Sequence, residues 1–186
     1  ICEKDTKKHP KLKKRFPNSV VTNNENLVFD NKKIKIVSIC SHDKYHYPQI
    51  IKSIDNNKNI IVEKPLCSTY DQLIKIKKKI SKKKNLLMTS NLVLRTTKIF
   101  NKIKQIIQNE TVYYCEGDYL WSRPNKLLGW RKKDINYSII NGAAIHLIDL
   151  LIWILGSYPS YVTVYSNNSM VKKKSFNKKS FSLIVL

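Results

Sequence analysis

The feature that most constrains this chain is a pair of short, nearly all-apolar runs, Ile34-Lys35-Ile36-Val37-Ser38-Ile39-Cys40 and Ile60-Ile61-Val62, with a helical pattern between them. Continuous β-branched runs are expected of parallel strands covered on both faces. From His46 onward, Tyr47, Ile50, Ile51 and Ile54 recur at helical spacing, until Asn56-Asn57-Lys58-Asn59 breaks the pattern. Strand, helix, strand in that order requires a crossover and therefore a parallel sheet. The first strand ends in a polar loop, Ser41 to Tyr45. A second helix is expected from about Ser68 to Lys84, with Ser68 or Thr69 as its cap. Its apolar positions Leu73, Ile74, Ile76 and Ile80 share one face and its lysines occupy the rest. Leu86-Leu87-Met88-Thr89 supplies another short strand.

Beyond Asn91 the character changes. A helix from about Thr97 to Gln108 leads to a long aromatic strand, Val112 to Trp121. A strongly apolar helix, Asn141 to Leu155, is closed by Gly156, and an alternating strand, Tyr161 to Tyr165, follows. One helix beneath an aromatic sheet suits this half. The reading is α/β: part of a doubly wound parallel sheet over residues 1–92, then part of an α+β domain with a mainly antiparallel sheet over residues 93–186. The chain opens on Ile1 in a strand pattern and stops at Phe181 to Leu186 in another, so a piece of a longer protein is expected at both ends.

A net charge of +22 first raises nucleic-acid binding, since clustered cations neutralise backbone phosphates. The lysines recur along Lys7 to Lys14, Lys75 to Lys84 and Lys172 to Lys179 among many Asn and Ile residues, without an Arg/Gly repeat or zinc-finger spacing. A lysine-rich compositional bias with solvated helix faces accounts for them, and no specific nucleic acid is expected. Cys2, Cys40, Cys67 and Cys115 are too far apart for a Cys-x-x-Cys site, so reduced thiols of a cytoplasmic protein and no bound metal are expected. The apolar run from Leu147 to Leu155 is far shorter than the ~20 residues that cross a bilayer, so no membrane is expected.

Ligands of doubly wound sheets bind beyond the carboxyl ends of the strands, where Ser41 to His46 and Glu63-Lys64-Pro65 both fall. Pro65 fixes its own φ and keeps Lys64 out of the helical region, so the ammonium group points in a defined direction. Such a cation can polarise a hydroxyl or carbonyl oxygen, or shuttle its proton. Alone, Glu-Lys-Pro is also an ordinary exposed turn, and His146 on an apolar helix is also an ordinary core histidine. Tyr119 and Trp121, with Arg123 and Tyr137, offer aromatic faces and planar donors suited to a sugar or polyol, although sheet packing explains the aromatic residues equally well.

The order of these features resembles a known family. Asn59-Ile60-Ile61-Val62-Glu63-Lys64-Pro65-Leu66 is similar to the signature of the glucose-fructose oxidoreductase, inositol dehydrogenase and rhizopine-catabolism (Gfo/Idh/MocA) proteins. Ser41-His42-Asp43-Lys44-Tyr45-His46 fits their Thr-Pro-Asn-x-x-His loop. Ala144-Ile145-His146-Leu147-Ile148-Asp149-Leu150 fits their Gly-x-His-x-x-Asp-Leu helix, and Trp130-Arg131 matches a pair that precedes it.

The resemblance implies a Rossmann domain whose Gly-rich phosphate turn lies upstream of Ile1, since Gly117, Gly129, Gly142 and Gly156 form no G-x-G-x-x-G array. It implies an enzyme that transfers hydride between NAD or NADP and a carbinol carbon of a sugar, sugar derivative or cyclitol, and a homo-oligomer when complete; this chain alone is expected to be inactive. Glu3 falls at the acid that accepts adenosine ribose hydroxyls, which favours NAD. Ser41, His42 and His46 fall on the nicotinamide side, Glu63 and Pro65 shape the crevice, and Asn91, Trp130 and Arg131 complete the cofactor set. Lys64 and His146 become the acid/base pair, with Lys64, Tyr119, Tyr137, His146 and Asp149 toward the substrate. Many members carry an Asp four residues before the histidine, where this chain has Gly142. A subgroup with a Gly-rich stretch there and a Glu-Gly-Asp-Tyr-Leu-Trp strand, as in Glu116 to Trp121, accommodates the glycine. The departure keeps open a non-catalytic relative that senses sugar or nucleotide, and the net charge of +22 alone keeps open, more remotely, a basic nucleic-acid-binding protein.

Overall fold

A computed structural model describes residues 1–120, 125, 129–134, 137–167 and 181–186. The chain divides into two compact units: Ile1–Ser41, Tyr45–Val62 and Thr69–Thr89 form the first, and His42–Lys44, Glu63–Ser68 and Ser90–Leu186 the second.

The first unit holds a three-stranded sheet of β1 (Ile36–Ile39), β2 (Asn59–Val62) and β3 (Met88–Ser90), in that order across the sheet. β1 and β2 are parallel, with Ile36 opposite Asn59 and Ile39 opposite Val62. Two short helices, α1 (His9–Arg15) and α2 (Asn26–Phe29), precede β1. The crossover between β1 and β2 is α3 (Asp43–Asp55), and α4 (Tyr70–Ile80) follows β2. α3 starts at Asp43, inside the segment expected to be loop, with the carboxylate of Asp43 in its first turn, where it complements the helix dipole. α3 ends before Asn57, whose φ of 50° is a left-handed conformation that asparagine tolerates. Thr69 is the cap of α4, its hydroxyl accepting the Gln72 N–H at 3.3 Å.

Val37, Ile39, Ile50, Ile54, Ile60, Val62 and Ile76 make the core of this unit, most of them essentially inaccessible to solvent. Each such aliphatic side chain contributes about 1.5–3 kcal/mol by leaving water. The expectation that β1 and β2 are covered on both faces is corrected: Ile36 is 58% and Ile61 44% exposed. Side chains alternate along a strand, so covering one face buries every second residue, and only one face is covered among the described residues. Ile74 also departs from expectation, standing exposed beside buried Ile76. Lys58, read from sequence as part of a helix breaker, is 3% exposed and donates to the carbonyls of Asn31 (2.6 Å) and Ile34 (2.9 Å). Those two acceptors offset the desolvation of its ammonium group.

In the second unit, α5 (Lys98–Ile107) packs against α7 (Ile145–Leu155), with the short α6 (Trp130–Lys133) between them in sequence. The Lys104 ammonium donates to the Trp153 carbonyl and lies 4.4 Å from the Trp153 ring centre. Gly156 caps α7 in the left-handed conformation, φ 73°. β4 (Thr163–Asn167) and β5 (Phe181–Val185) form an antiparallel pair.

Two expectations fail here. Residues 111–120 form no strand. Aromatic and β-branched composition suits a pleated surface, but a strand needs a second backbone to complete its ladder; instead this segment passes α7, where a Cβ at Gly117 would stand 2.8 Å from Leu147 Cδ1. The picture of one helix beneath an aromatic sheet is also corrected, because α7 packs on α5 and every residue of β4 is exposed. Among the described residues, no helix is long and apolar enough to cross a membrane.

Candidate active site

Glu63-Lys64-Pro65 leaves the end of β2 and belongs to the second unit, with a cis Lys64–Pro65 peptide bond. Pro65 is buried. Glu63 Oε1 accepts from Asn91 Nδ2 at 2.7 Å, which ties the triplet to the residue just after β3. The Lys64 ammonium donates to the Gly142 carbonyl.

Gly142 lies in a π-helical turn, Ile140–Ala144, that runs directly into α7. The sequence reads as an ordinary helix here, because its 3.6-residue pattern does not register a one-residue widening. Ser138 starts the turn: its hydroxyl accepts the Asn141 N–H at 3.1 Å and its carbonyl the Gly142 N–H at 2.9 Å.

His146 follows in the first turn of α7, half-buried, with Nδ1 buried and without a hydrogen-bond partner among the described residues. Burial, and then the positive charge of Lys64, hold its pKa below the ordinary histidine value. The imidazole is therefore neutral at pH 7, with unused hydrogen-bonding capacity. The Tyr119 ring stacks near it, with centroids 6.0 Å apart and planes at 15°.

One α-helical turn on, Asp149 is engaged by Arg95, whose Nε donates to Oδ2 at 2.7 Å and whose Nη2 donates to Oδ1. This pairing raises the Arg95 pKa, with the hydrogen bond to Asp149 as the main cause. Asp149, expected toward the substrate, thus has both oxygens occupied. Arg95 was not found from sequence: its partner lies 54 residues away, and no local spacing links the two.

His42, Trp130, Arg131 and Tyr137 form an aromatic and cationic group in the same unit. The His42 ring stacks on Trp130 with centroids 4.4 Å apart and planes at 10°. Arg131 lies 4.4 Å from the Trp130 ring centre and 5.7 Å from that of Tyr137, and Trp130 meets Tyr137 edge-on at 6.0 Å. Tyr137 is 4% exposed, and burial raises its phenol pKa. Trp121 and Arg123 lie outside the described residues.

Glu3, Ser41 and His46 belong to the first unit. Residues 1–3 pair in parallel with residues 20–22, Cys2 opposite Thr22. Glu3 follows that bridge; its Oε1 accepts the Asp5 N–H at 2.9 Å, the main reason its pKa is lowered, and Lys8 Nζ lies 3.4 Å from Oε2. The result is a half-exposed, ionised carboxylate at a strand end, a fitting acceptor for a pair of ribose hydroxyls. Ser41 Oγ donates to Gln49 Oε1 at 2.7 Å. His46 is completely buried, its Nε2 3.0 Å from the Ser41 carbonyl.

Residues 1–91 match the family described as "Oxidoreductase family, NAD-binding Rossmann fold", and residues 103–182 match its "C-terminal alpha/beta domain". The chain belongs to the Gfo/Idh/MocA oxidoreductase family. No curated protein sequence matches it.

Among solved structures, the fold of this Gfo/Idh/MocA member is similar to myo-inositol 2-dehydrogenase from Lactobacillus plantarum (TM-score 0.77, 19% identity, 90% of this chain and 51% of that one). It is also similar to myo-inositol dehydrogenase from Lactobacillus casei in complex with NAD(H) and myo-inositol (0.77, 18%, 99% and 54%). A third is scyllo-inositol dehydrogenase from Lactobacillus casei with bound NAD(H) and scyllo-inositol (0.75, 17%, 90% and 51%). The chain spans about half the length of these relatives. In this family member, then, the second unit gathers Lys64, Tyr119, Tyr137, His146 and the Trp130 group, with Asn91, Arg95 and Asp149 bracing them.

Proposed function

We propose that the protein to which this chain belongs is a nicotinamide-dependent oxidoreductase acting on a CH–OH group of a sugar, sugar derivative or cyclitol. The observation that carries this reading is the electrostatic coupling of Lys64 to a neutral, half-buried His146 whose Nδ1 has no partner among the described residues. An ammonium donor and a neutral imidazole are the groups needed to orient a hydroxyl and take its proton. Lys64 holds the substrate oxygen, and His146 accepts the proton as the carbinol carbon gives up its hydride. Tyr119 and Tyr137 provide walls for the hydroxylated ring. Asp149, held by Arg95, braces α7 from behind.

For the cofactor, we assign Glu3 to the adenosine ribose and His42, Asn91, Trp130 and Arg131, with Glu63 and Pro65, to the nicotinamide side. When bound, NAD supplies the hydride acceptor. The ionised Glu3 favours NAD, because it would repel a 2′-phosphate. Ser41 and His46 shape the loop that presents His42. The family matches, ending at 91 and beginning at 103, support a domain boundary at residues 92 and 93. Oligomerisation of the complete protein belongs to the same reading.

The test is to express the full-length gene product and follow NADH absorbance across inositols and sugars. Turnover of at least one is expected, with Lys64→Ala lowering kcat by about a hundredfold or more. Turnover unaffected by Lys64→Ala sinks the role given to that lysine, and inertness toward the whole panel sinks the activity itself.

A further inference from the structure

Glu3 stands at the last rung of a backbone ladder. The Thr22 N–H donates to the Ile1 carbonyl at 3.0 Å, and the Glu3 N–H to the Thr22 carbonyl at 2.9 Å. The next donor of a parallel ladder would be the Asn24 N–H, reaching the Glu3 carbonyl. It turns instead to the Thr22 hydroxyl at 3.0 Å, so the ladder stops and the Glu3 carbonyl is left over. A partly buried backbone acceptor is costly to leave unpaired. His9 fills the gap, its Nε2 2.7 Å from the Glu3 carbonyl oxygen. A carbonyl only accepts, so Nε2 carries the hydrogen.

His9 reaches back because the chain between the two residues is a tight curl. The Asp5 side chain accepts the Lys7 N–H at 3.2 Å and caps the 3₁₀ turn Thr6–Lys8, which runs directly into α1 at His9. Pro10, whose fixed φ suits the first turn of a helix, holds that entry. Glu3 thus has its N–H on a neighbouring strand and its carbonyl on the first residue of α1, which sets both of its backbone torsions. The carboxylate therefore leaves the strand in a defined direction. Its Oε1 takes the Asp5 N–H at 2.9 Å and its Oε2 faces Lys8 Nζ at 3.4 Å. An ionised carboxylate has about four acceptor positions, so about two stay open, as many as a ribose diol has hydroxyl donors. The side chain is 29% exposed, which leaves those positions within reach of a ligand. Lys8 is 59% exposed, and an ion pair so open to water adds little; the His9 bond is the shorter and the more buried of the two.

We propose that His9 is the positioning residue for the adenosine end of the cofactor site: by holding the Glu3 carbonyl, it fixes the carboxylate where two ribose hydroxyls bind it, before NAD arrives. This rests on the assignment of Glu3 to the ribose above. Preorganisation of this kind shows in the affinity for the dinucleotide. It leaves the hydride step untouched, because His9 acts through Glu3 alone.

The experiment titrates NAD into the full-length protein by calorimetry and measures kcat at saturating NAD on the polyol it turns over best. His9→Leu removes the donor; Kd for NAD is expected to rise about five- to tenfold with kcat changed less than about twofold. His9→Gln, whose amide N–H falls near the place of Nε2, is expected to bring Kd back to within about twofold of the parent. Glu3→Ala is expected to weaken NAD about tenfold, and adding His9→Leu to it to cost less than about a further twofold, because the group that His9 positions is gone. A histidine that merely held the fold together would cost the same in both backgrounds. Parental Kd in a folded His9→Leu, an equal loss in both backgrounds, or a His9→Gln as weak as His9→Leu each overturns the proposal. If His9→Leu fails to fold, His9→Asn, whose amide is one bond shorter, is held to the same criteria. Parental Kd in Glu3→Ala removes the ribose assignment and the proposal with it, whereas inertness toward every polyol alongside intact NAD binding sinks the activity alone.

Discussion

Breaking the Arg95–Asp149 pair is expected to destabilise the second unit by about 2 kcal/mol. The Asp149 side chain is only 14% exposed and that of Arg95 42% exposed. A fully solvated ion pair contributes about 0–1 kcal/mol, whereas stripping the partner from a fully buried charge costs about 3–5 kcal/mol. Arg95→Ala leaves a mostly buried carboxylate without its two donors, and the partial exposure of the arginine places the cost between those limits. Asp149→Ala releases a guanidinium that can reach water, so about 1 kcal/mol is expected. The double variant removes the stranded charge as well, and the pair should couple by about 1 kcal/mol. Urea unfolding of the four proteins, followed by tryptophan fluorescence, measures this cycle, with Trp153 on α7 as reporter. Costs that simply add, within about 0.5 kcal/mol, refute the argument, because they would mean that the two side chains do not feel each other. Since Asp149 lies one turn beyond His146, Arg95→Ala should also lower kcat of the active enzyme while leaving NAD affinity unchanged.

Other expectations follow from single sites. With His146 neutral and its pKa below the ordinary histidine value of about 6.5, kcat/KM should fall on its acid limb only below that value; an acid limb centred above 7 would contradict the assignment. Stability should follow the same group, because an unfolded histidine binds its proton at a higher pH than His146 does. The contribution is complete above the ordinary histidine range and is lost as pH falls through it toward the folded value, which urea midpoints in a pH series would detect. Glu3→Ser should narrow the preference for NAD over NADP at least tenfold in kcat/KM; an unchanged ratio removes Glu3 from the ribose site. Ile54→Ala, at a completely buried position, should cost about 2–5 kcal/mol in the first unit, and a loss under 1 kcal/mol would show that the core there is not closed.

The order of elements was legible because hydrophobic period is a local property. Ile36 to Ile39, Ile60 to Val62 and the helical series through Ile50 and Ile54 each state their own geometry within a few residues. Thr69 and Gly156 were legible as helix ends for the same reason, since a cap bonds to backbone three or four positions away. The motifs around Lys64 and His146 were readable as motifs, and their order along the chain pointed to the family.

What the sequence by itself determined was therefore the alternation of strands and helices, the family, and the candidates for acid/base chemistry. Tertiary structure alone decided which groups meet. Residues 111–120 have strand composition, yet a strand exists only where a second backbone offers its hydrogen bonds, and this segment lies against α7 instead. Arg95 and Asp149, or Lys64 and the Gly142 carbonyl, are separated by 54 and 78 residues, and no periodicity reaches across such distances. Gly142 is the sharpest case. In sequence it is a missing acid; in space it is the room that Tyr137 fills, because two atoms cannot share one volume and only the fold says which residue claims it.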